Sequence, residues 1–383
     1  QKKQSEDVPA SDFTFDARIK KIDKLNELFA TGLSIADGSR LSGHFISEPA
    51  ETAAQFRSGA VEYAGTRMGN MQLNGSVSHD RMALTVTADT VLLPDKSQME
   101  NFILEASGYR DTIDLGIKWD NKDGDRTLGD IRAKGFFSIN DRNKPVLIIG
   151  VLPAYFNINH VQWAISPARI VIDSTSAYFD NILLNSKTNY IRLDGRLSHD
   201  QDDKLTLSFE GLNLSYLNNL IKKPKPGKEE SSMDMTFGGT MKGDIILSDV
   251  YDEMLFESSI DVSNFMVNNN QYGLVNVRSE WDPRQKVAVI NVSNDYEGSK
   301  FFDISGTYSP SSKIADISVS TFRMPLDIIN PFVESFASDL RGVGSGTVGI
   351  HGKFRQLLLS GSIMAEDASM KVDFLQTRYN FSD

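Results

Sequence analysis

The sequence predicts a mostly-β protein, built from an elongated, curled, β-solenoid-like sheet with a few short amphipathic helices. Three observations predict this class: long stretches in which apolar and polar residues alternate, a recurring block centred on glycine, and polar turns between the stretches. Successive side chains of a strand point to opposite faces, so the alternation collects the apolar residues on one face of the sheet.

The recurring block reads LNGSVSH at residues 73–79 and LDGRLSH at residues 193–199, with related forms at 132–140 and 303–311. One such unit cannot bury its apolar face alone, so the repetition predicts a stack of strands. We expect the central glycines, Gly75, Gly195 and Gly306, to be points where strands bend or bulge and so curve the sheet.

Three segments carry apolar residues at helical spacing, which predicts helices over residues 17–31, 214–221 and 326–340. Each contains an apolar–Asn–x–apolar core, built around Asn26, Asn218 and Asn330, and each precedes a strand opening that contains glycine. The alignment predicts one repeat unit over residues 1–213, a second over 214–325, and the start of a third, truncated unit over 326–383.

Composition excludes several classes of function. The 383 residues include no cysteine, which removes disulfides, thiolate catalysis and zinc–thiolate sites. A net charge of −11 gives no general attraction to nucleic acid, so no nucleic-acid partner is expected. No apolar run approaches the roughly 20 residues that span a bilayer. We interpret the chain as an internal piece of a longer protein.

Three local motifs resemble catalytic, dinucleotide-binding or calcium-binding sequences, but each lacks the structural context that such a site requires. Ser-His-Asp occurs at residues 78–80 and 198–200, where adjacent residues of an extended chain cannot form a catalytic relay and a turn is expected. The GSGTVG run at 344–349 follows a predicted helix, the reverse of a dinucleotide-binding site. DNKDGD at 120–125 fails the calcium-loop register, which predicts a hairpin turn. We therefore predict no catalytic, metal or cofactor-binding residue and no enzymatic activity.

The pervasive signal is the apolar stripe of alternate residues. It has two interpretations: the ordinary core of a closed sandwich or solenoid, or the lining of a trough that holds lipid tails or unfolded chain. The residues that would line such a groove are Met71, Leu73, Val77, Leu84, Val86, Ile191, Leu193, Leu205, Leu207, Phe209, Phe302, Ile304, Ile317 and Val319.

The unit of one helix followed by glycine-bearing strands resembles the TamB family of AsmA-like periplasmic envelope proteins. The resemblance is clearest over residues 326–383, with Leu340, Gly342 and Gly346 in an L-x-G-x-x-x-G strand opening, LSG at 359–361 and a closing RYNF at 378–381. These residues are similar to the start of a TamB-type C-terminal domain. The SHD motifs and the WDPRQK motif at residues 281–286 resemble the sequences of Bacteroidetes members of this family more than those of enterobacterial members.

The resemblance implies a β-taco groove in a periplasm-spanning protein that is anchored in the inner membrane by an N-terminal helix absent from this chain. It implies transport of phospholipid between the membranes, assistance to outer-membrane protein assembly and secretion, or both. The implied partners are phospholipid acyl chains or unfolded outer-membrane polypeptide, and an outer-membrane barrel of the TamA/Omp85 type that would contact residues outside this chain.

Two other functions remain open at this point. A non-catalytic structural or adhesive β-solenoid would share the repeats and have a filled, closed core. A hydrolase could combine catalytic carboxylates from different repeats, but no local sequence motif identifies such an active site.

Overall fold

The computed structural model describes residues 12–20, 33–48, 50–63, 65–93, 97–122, 127–141, 143–158, 161–218, 236–252, 255–268, 270–330, 337–353 and 356–381. Strand makes up 78% of the structure and helix 2%, and the strands pair antiparallel, which confirms the mostly-β fold class. The chain divides into two compact units, residues 1–174 with 182–187, and residues 175–181 with 188–383.

Thirteen strands lie in the described residues of the first unit. They are β1 (Phe13–Ile19), β2 (Ser34–Ile35), β3 (Ser39–Ile46), β4 (Glu51–Tyr63), β5 (Thr66–Ser78), β6 (Arg81–Leu92), β7 (Gln98–Tyr109), β8 (Thr112–Asp120), β9 (Leu128–Ile139), β10 (Pro145–Val151), β11 (Ala154–Ile158), β12 (Val161–Ile165) and β13 (Ala168–Ile172). β14 (Ser176–Asn185) contributes residues to both units. Strands β3 to β10 pair in chain order, β1 adds to β3, β13 adds to β10, and β11 and β12 follow β9.

The second unit is a meander in which each strand pairs with the next. Its strands are β15 (Tyr190–Ser198), β16 (Leu205–Asn213), β17 (Phe237–Ser248), β18 (Leu255–Val267), β19 (Asn270–Asp282), β20 (Val287–Asp295), β21 (Phe302–Ser309), β22 (Ile314–Pro325), β23 (Ala337–Lys353), β24 (Gln356–Val372) and β25 (Thr377–Phe381). Two 3-10 turns, Leu214–Leu217 and Leu326–Ile329, stand at the predicted starts of the second and third repeat units. The repeat division itself stays a prediction.

Left-handed residues interrupt the alternation near one end of the long strands. Asn70, Asn101 and Gly273 have positive φ, as does Arg323, where the β22–β23 register shifts between Thr321 and Met324. Such an irregularity re-aims the following side chains. As a result, apolar residues three positions apart, Met99 and Phe102, enter the same hydrophobic cluster.

The glycines of the recurring block do not mark these irregularities. The strand registers run through Gly75 and Gly306 without a shift, so neither position is a bulge. A bend at these two positions stays a prediction. Gly195 does adopt a positive φ of 116°, at the end of the β15–β16 ladder. At Gly306 the glycine instead permits close backbone approach, because an added Cβ would lie 2.3 Å from the Asp316 carbonyl oxygen.

The helix predictions were only partly correct. Ala17 lies in strand β1, because its apolar neighbours alternate across the sheet, and residues 21–31 of the first predicted helix lie outside the described residues. The second and third predicted helices begin as the 3-10 turns at Leu214 and Leu326, and residues 219–221 and 331–336 are likewise outside the description. Leu340 belongs to strand β23, not to a helix.

The asparagines that align the repeats have a common geometry in the two described copies. The Asn218 carboxamide accepts a 2.8 Å hydrogen bond from the Phe237 backbone N–H and donates a 2.9 Å bond to the Phe237 carbonyl oxygen. The Asn330 carboxamide accepts from the Leu340 N–H at 2.8 Å and donates to the Leu340 carbonyl at 3.3 Å. Each side chain therefore imitates a neighbouring strand and satisfies two backbone groups of the strand that follows.

Replacing Asn330 by aspartate is expected to lower the free energy of unfolding by about 1–3 kcal/mol. The substitution keeps the shape and the acceptor but places a carboxylate oxygen against the Leu340 carbonyl, where a donor was. Urea titration followed by circular dichroism measures the loss. Asn291→Asp, an exposed change in β20, is the isosteric control and should alter stability by less than about 0.5 kcal/mol. An equal effect of the two substitutions would contradict the role of Asn330.

Candidate apolar binding face

In the first unit the strand register aligns apolar side chains in a row across seven neighbouring strands. The row, from β3 to β9, is Leu41, Phe56, Leu73, Val86, Leu104, Ile117 and Ile131. The adjacent row on the opposite face is Ser42, Gln55, Asn74, Thr85, Glu105, Gly116 and Arg132. Directly opposed residues share a face, so one face is apolar and the other polar.

The second unit has the same division of faces. One apolar row, from β15 to β23, contains Ile191, Phe209, Gly243, Ile260, Val277, Val292, Ile304, Val319 and Val348. A parallel row begins with Leu193, Leu207 and Ile245 and includes Ile317 and Ile350. The opposite face carries Arg192, Ser208, Asp244, Ser259, Arg278 and Asn291 in direct register.

All fourteen predicted lining residues lie on the apolar face of their own unit. Met71, Leu73, Val77, Leu84 and Val86 share the apolar face of the first unit. Ile191, Leu193, Leu205, Leu207, Phe209, Phe302, Ile304, Ile317 and Val319 share that of the second. That this face lines a groove stays a prediction.

Exposure of the apolar face in the first unit falls steadily along the strands. On the hairpin of β5 and β6, Val77 is 57% exposed and its partner Met82 is 39% exposed. Leu84 is half-buried, whereas Val86 is 9% and Val91 2% exposed. The apolar face is therefore accessible at the end where the β5–β6 turn lies and closed at the end where the left-handed residues lie.

The closed end of the first unit is a packed aromatic and aliphatic cluster. Trp119 and Phe156 meet edge to face with ring centroids 5.7 Å apart. Val91, Met99, Phe102 and Ile165 complete the buried core around them. The Trp119 Nε1 is buried and has no hydrogen-bond partner among the described residues. Strands β11 and β12 supply Phe156 and Ile165, so they cover this end of the sheet.

The second unit has an equivalent cluster around Tyr272, which is 1% exposed. Its ring packs against Phe301 and Phe302, and residues of both 3-10 turns, Leu214 and Ile328, pack against the cluster. Burial, and secondarily the Asp327 carboxylate, raises the pKa of Tyr272 to about 12. Because the phenol is neutral at physiological pH, the cluster carries no charge from this residue.

Strand β24 exposes apolar side chains on both faces of the sheet. Leu357, Leu359 and Ile363 continue the apolar rows, whereas Leu358 and Met364 point to the polar side, and all five are exposed. Within the described residues, strand β25 pairs with residues 368–372 of β24. Exposed apolar surface of this kind is typical of an interaction site.

The local motifs lie where turns and strands were expected. His79 and Asp80 form the β5–β6 turn, and Ser198 donates a 2.7 Å hydrogen bond to Asp203 within its own turn. His199 Nδ1 contacts Asp252 Oδ2 at 2.9 Å, across two loops. The GSGTVG run lies inside strand β23. The two Ser-His-Asp segments lie at strand ends beside turns, as predicted. Residues 123–126 of the DNKDGD segment lie outside the described residues, so its hairpin turn stays a prediction.

One group of neighbouring residues on the polar face was not predicted from the sequence. Arg18, Arg40 and Arg57 occupy directly opposed positions on β1, β3 and β4, on the polar face. They are 22 and 17 positions apart in the chain, so no local motif joins them. Only the pairing of the three strands brings them together.

Within the described ranges, no cluster of three or more His, Asp or Glu side chains is placed to hold a metal ion. Over the same ranges, no helix has the length and apolar character needed to cross a bilayer. Comparison with protein-family models, with curated proteins and with solved structures finds no match to this chain.

Proposed function

We propose that this chain is part of a periplasmic envelope-biogenesis protein of the TamB, AsmA-like type, whose apolar sheet face carries phospholipid acyl chains between the inner and outer membranes. In the same proposal, the full-length protein assists outer-membrane protein assembly and secretion with a TamA-type barrel. The observation that carries the lipid part is the accessible apolar face, on which Val77 and Met82 are exposed in direct register.

The geometry supports acyl chains because the apolar rows continue from strand to strand. Neighbouring strands lie about 4.8 Å apart, so the row from β3 to β9 extends for roughly 29 Å and offers a continuous apolar track. Transfer of an acyl chain from water to such a surface is favourable by about 0.8 kcal/mol per buried methylene and needs no catalytic residue.

A closed structural scaffold is the second candidate, and the buried clusters around Trp119 and Tyr272 favour it. In that case the apolar face would have a filled core, and the function would belong to the outer surface. The two candidate functions make different predictions for the accessible part of the apolar face. A lipid-carrying face needs exposed apolar side chains there, whereas a closed scaffold does not.

Two double variants test the proposal. Val77→Asp with Met82→Asp places two carboxylates on the accessible apolar face, at opposed positions of β5 and β6. Ser76→Asp with Ala83→Asp places the same charges on the same strands but on the polar face, again at opposed, exposed positions. Each protein is purified, extracted with organic solvent, and its phospholipid measured by mass spectrometry.

We expect phospholipid to copurify with the unaltered chain and with the polar-face variant, and to fall at least tenfold in the apolar-face variant while circular dichroism stays unchanged. Lipid absent from the unaltered chain, or lost equally from both variants, would overturn the proposal.

A further inference from the structure

The polar face of the first unit contains one line of three like charges. Arg18, Arg40 and Arg57 are directly opposed on β1, β3 and β4, and all three are exposed. The next residue of the row, on β5, is the uncharged Gln72. Directly opposed like charges destabilise a sheet pair, so this arrangement costs stability unless an anion offsets it.

The rest of the first unit avoids such a conflict. Where two charged residues are directly opposed elsewhere in its described registers, they have opposite signs: Glu62 with Arg67, Asp114 with Lys134, and Lys118 with Asp130. The arginine row is therefore an exception within its own sheet, in a chain whose net charge is −11.

Within the part of the chain that the structure describes, the three positive charges are only partly neutralised. Asp16, two residues before Arg18 on β1, accepts a 2.8 Å hydrogen bond from Arg40 Nε and a second from the Arg40 Nη2. These bonds hold the pKa of the Asp16 carboxyl below its usual range. Among the described residues, one carboxylate paired with the row of three guanidinium groups leaves the row with a net charge of +2.

We propose that Arg18, Arg40 and Arg57 form a binding site for a phosphate group, separate from the apolar face and independent of the function proposed above. Strand spacing places the outer two Cα atoms roughly 10 Å apart, so the three long side chains can reach one tetrahedral anion once Arg40 leaves Asp16. Guanidinium groups donate paired hydrogen bonds that match phosphate oxygens. The source of the phosphate is a soluble phosphate or phosphomonoester, or the headgroup of an anionic phospholipid.

Two measurements distinguish these sources. Calorimetric titration with inorganic phosphate reports a soluble ligand, and flotation with vesicles of phosphatidylglycerol in phosphatidylcholine, against phosphatidylcholine alone, reports a headgroup. Phosphate binding without flotation assigns the site to a soluble phosphate, and phosphatidylglycerol-dependent flotation assigns it to a lipid headgroup.

Three variants test the residues. Arg57→Gln should weaken binding about tenfold, the loss of one charge-assisted contact, and Asp16→Asn should strengthen it several-fold by releasing Arg40. Arg132→Gln is the matched control, because Arg132 lies on the same face and pairs with Asp130. Its binding should be unchanged.

Absence of saturable phosphate binding and of phosphatidylglycerol-dependent flotation by the unaltered chain would overturn the site. So would equal losses in Arg57→Gln and Arg132→Gln. The apolar-face variant Val77→Asp with Met82→Asp should bind phosphate normally, which separates a failure of this site from a failure of the lipid-carrying face.

Discussion

Replacing Val91 by aspartate is expected to unfold the first unit, whereas the same change at Val77 should leave it folded. Both valines lie on the apolar face of one hairpin, but Val91 is 2% and Val77 57% exposed. An unpaired carboxylate in a dry cluster costs more than about 4 kcal/mol, a large share of the roughly 5–15 kcal/mol that stabilises a domain. At Val77 the carboxylate remains hydrated, and the expected loss is below about 1 kcal/mol.

Tryptophan fluorescence during urea denaturation measures both variants. Trp119 belongs to the buried cluster of the first unit and Trp163 packs against it, so two of the three tryptophans report unfolding of that unit. Trp281 lies in β19 of the second unit, so its emission is removed by making both variants in a Trp281→Phe background. Two variants with equal midpoints would mean that Val77 is as well covered as Val91. That outcome would favour the closed scaffold over an accessible apolar face.

Gly306→Ala is expected to lower the free energy of unfolding by about 2–4 kcal/mol, and Gly75→Ala by less than about 0.5 kcal/mol. The two glycines occupy the same position of the recurring block. A Cβ at Gly306 would lie 2.3 Å from the Asp316 carbonyl oxygen and 2.6 Å from the Ile317 Cα, so strand β22 would have to move. At Gly75 the nearest atom is Leu84 Cδ1, at 3.7 Å, an ordinary contact.

Chemical denaturation followed by circular dichroism gives both values, with the unaltered chain as reference. A destabilisation at Gly75 equal to that at Gly306 would mean that the glycine serves the same structural role in every copy of the block. Tolerance of alanine at Gly306 would instead show that β21 and β22 can separate without cost.

Alternation was sufficient to predict the class of fold and that the apolar residues of one strand share a face. Strand geometry has a period of two, so Leu73 and Val77, or Ile304 and Phe302, fall on one face whatever their partners are. The prediction from alternation failed where the backbone departs from regular strand geometry. At Asn70 and Asn101 a left-handed residue re-aims the chain, and the short apolar segments after residues 214 and 326 form 3-10 turns within the described residues.

The depth of each apolar residue could not be predicted from alternation. Val77 and Val91 are both valines of an alternating stretch, and their burial differs because β11 and β12 cover only one end of the sheet. The sequence did contain a signal of the irregular backbone at the buried end. Met99 and Phe102 are both apolar and three positions apart, with Asn101 between them, whereas a regular strand would place them on opposite faces.

By itself, the sequence determined that the chain forms strands, that the strands have one apolar face, and that cysteine chemistry is excluded, because these properties follow from local composition and period. Only the tertiary structure decided which part of the apolar face is accessible, why Asn218 and Asn330 recur, and that Arg18, Arg40 and Arg57 are neighbours. Those properties depend on which strand pairs with which and in what register, and the pairing joins residues that are far apart in the chain.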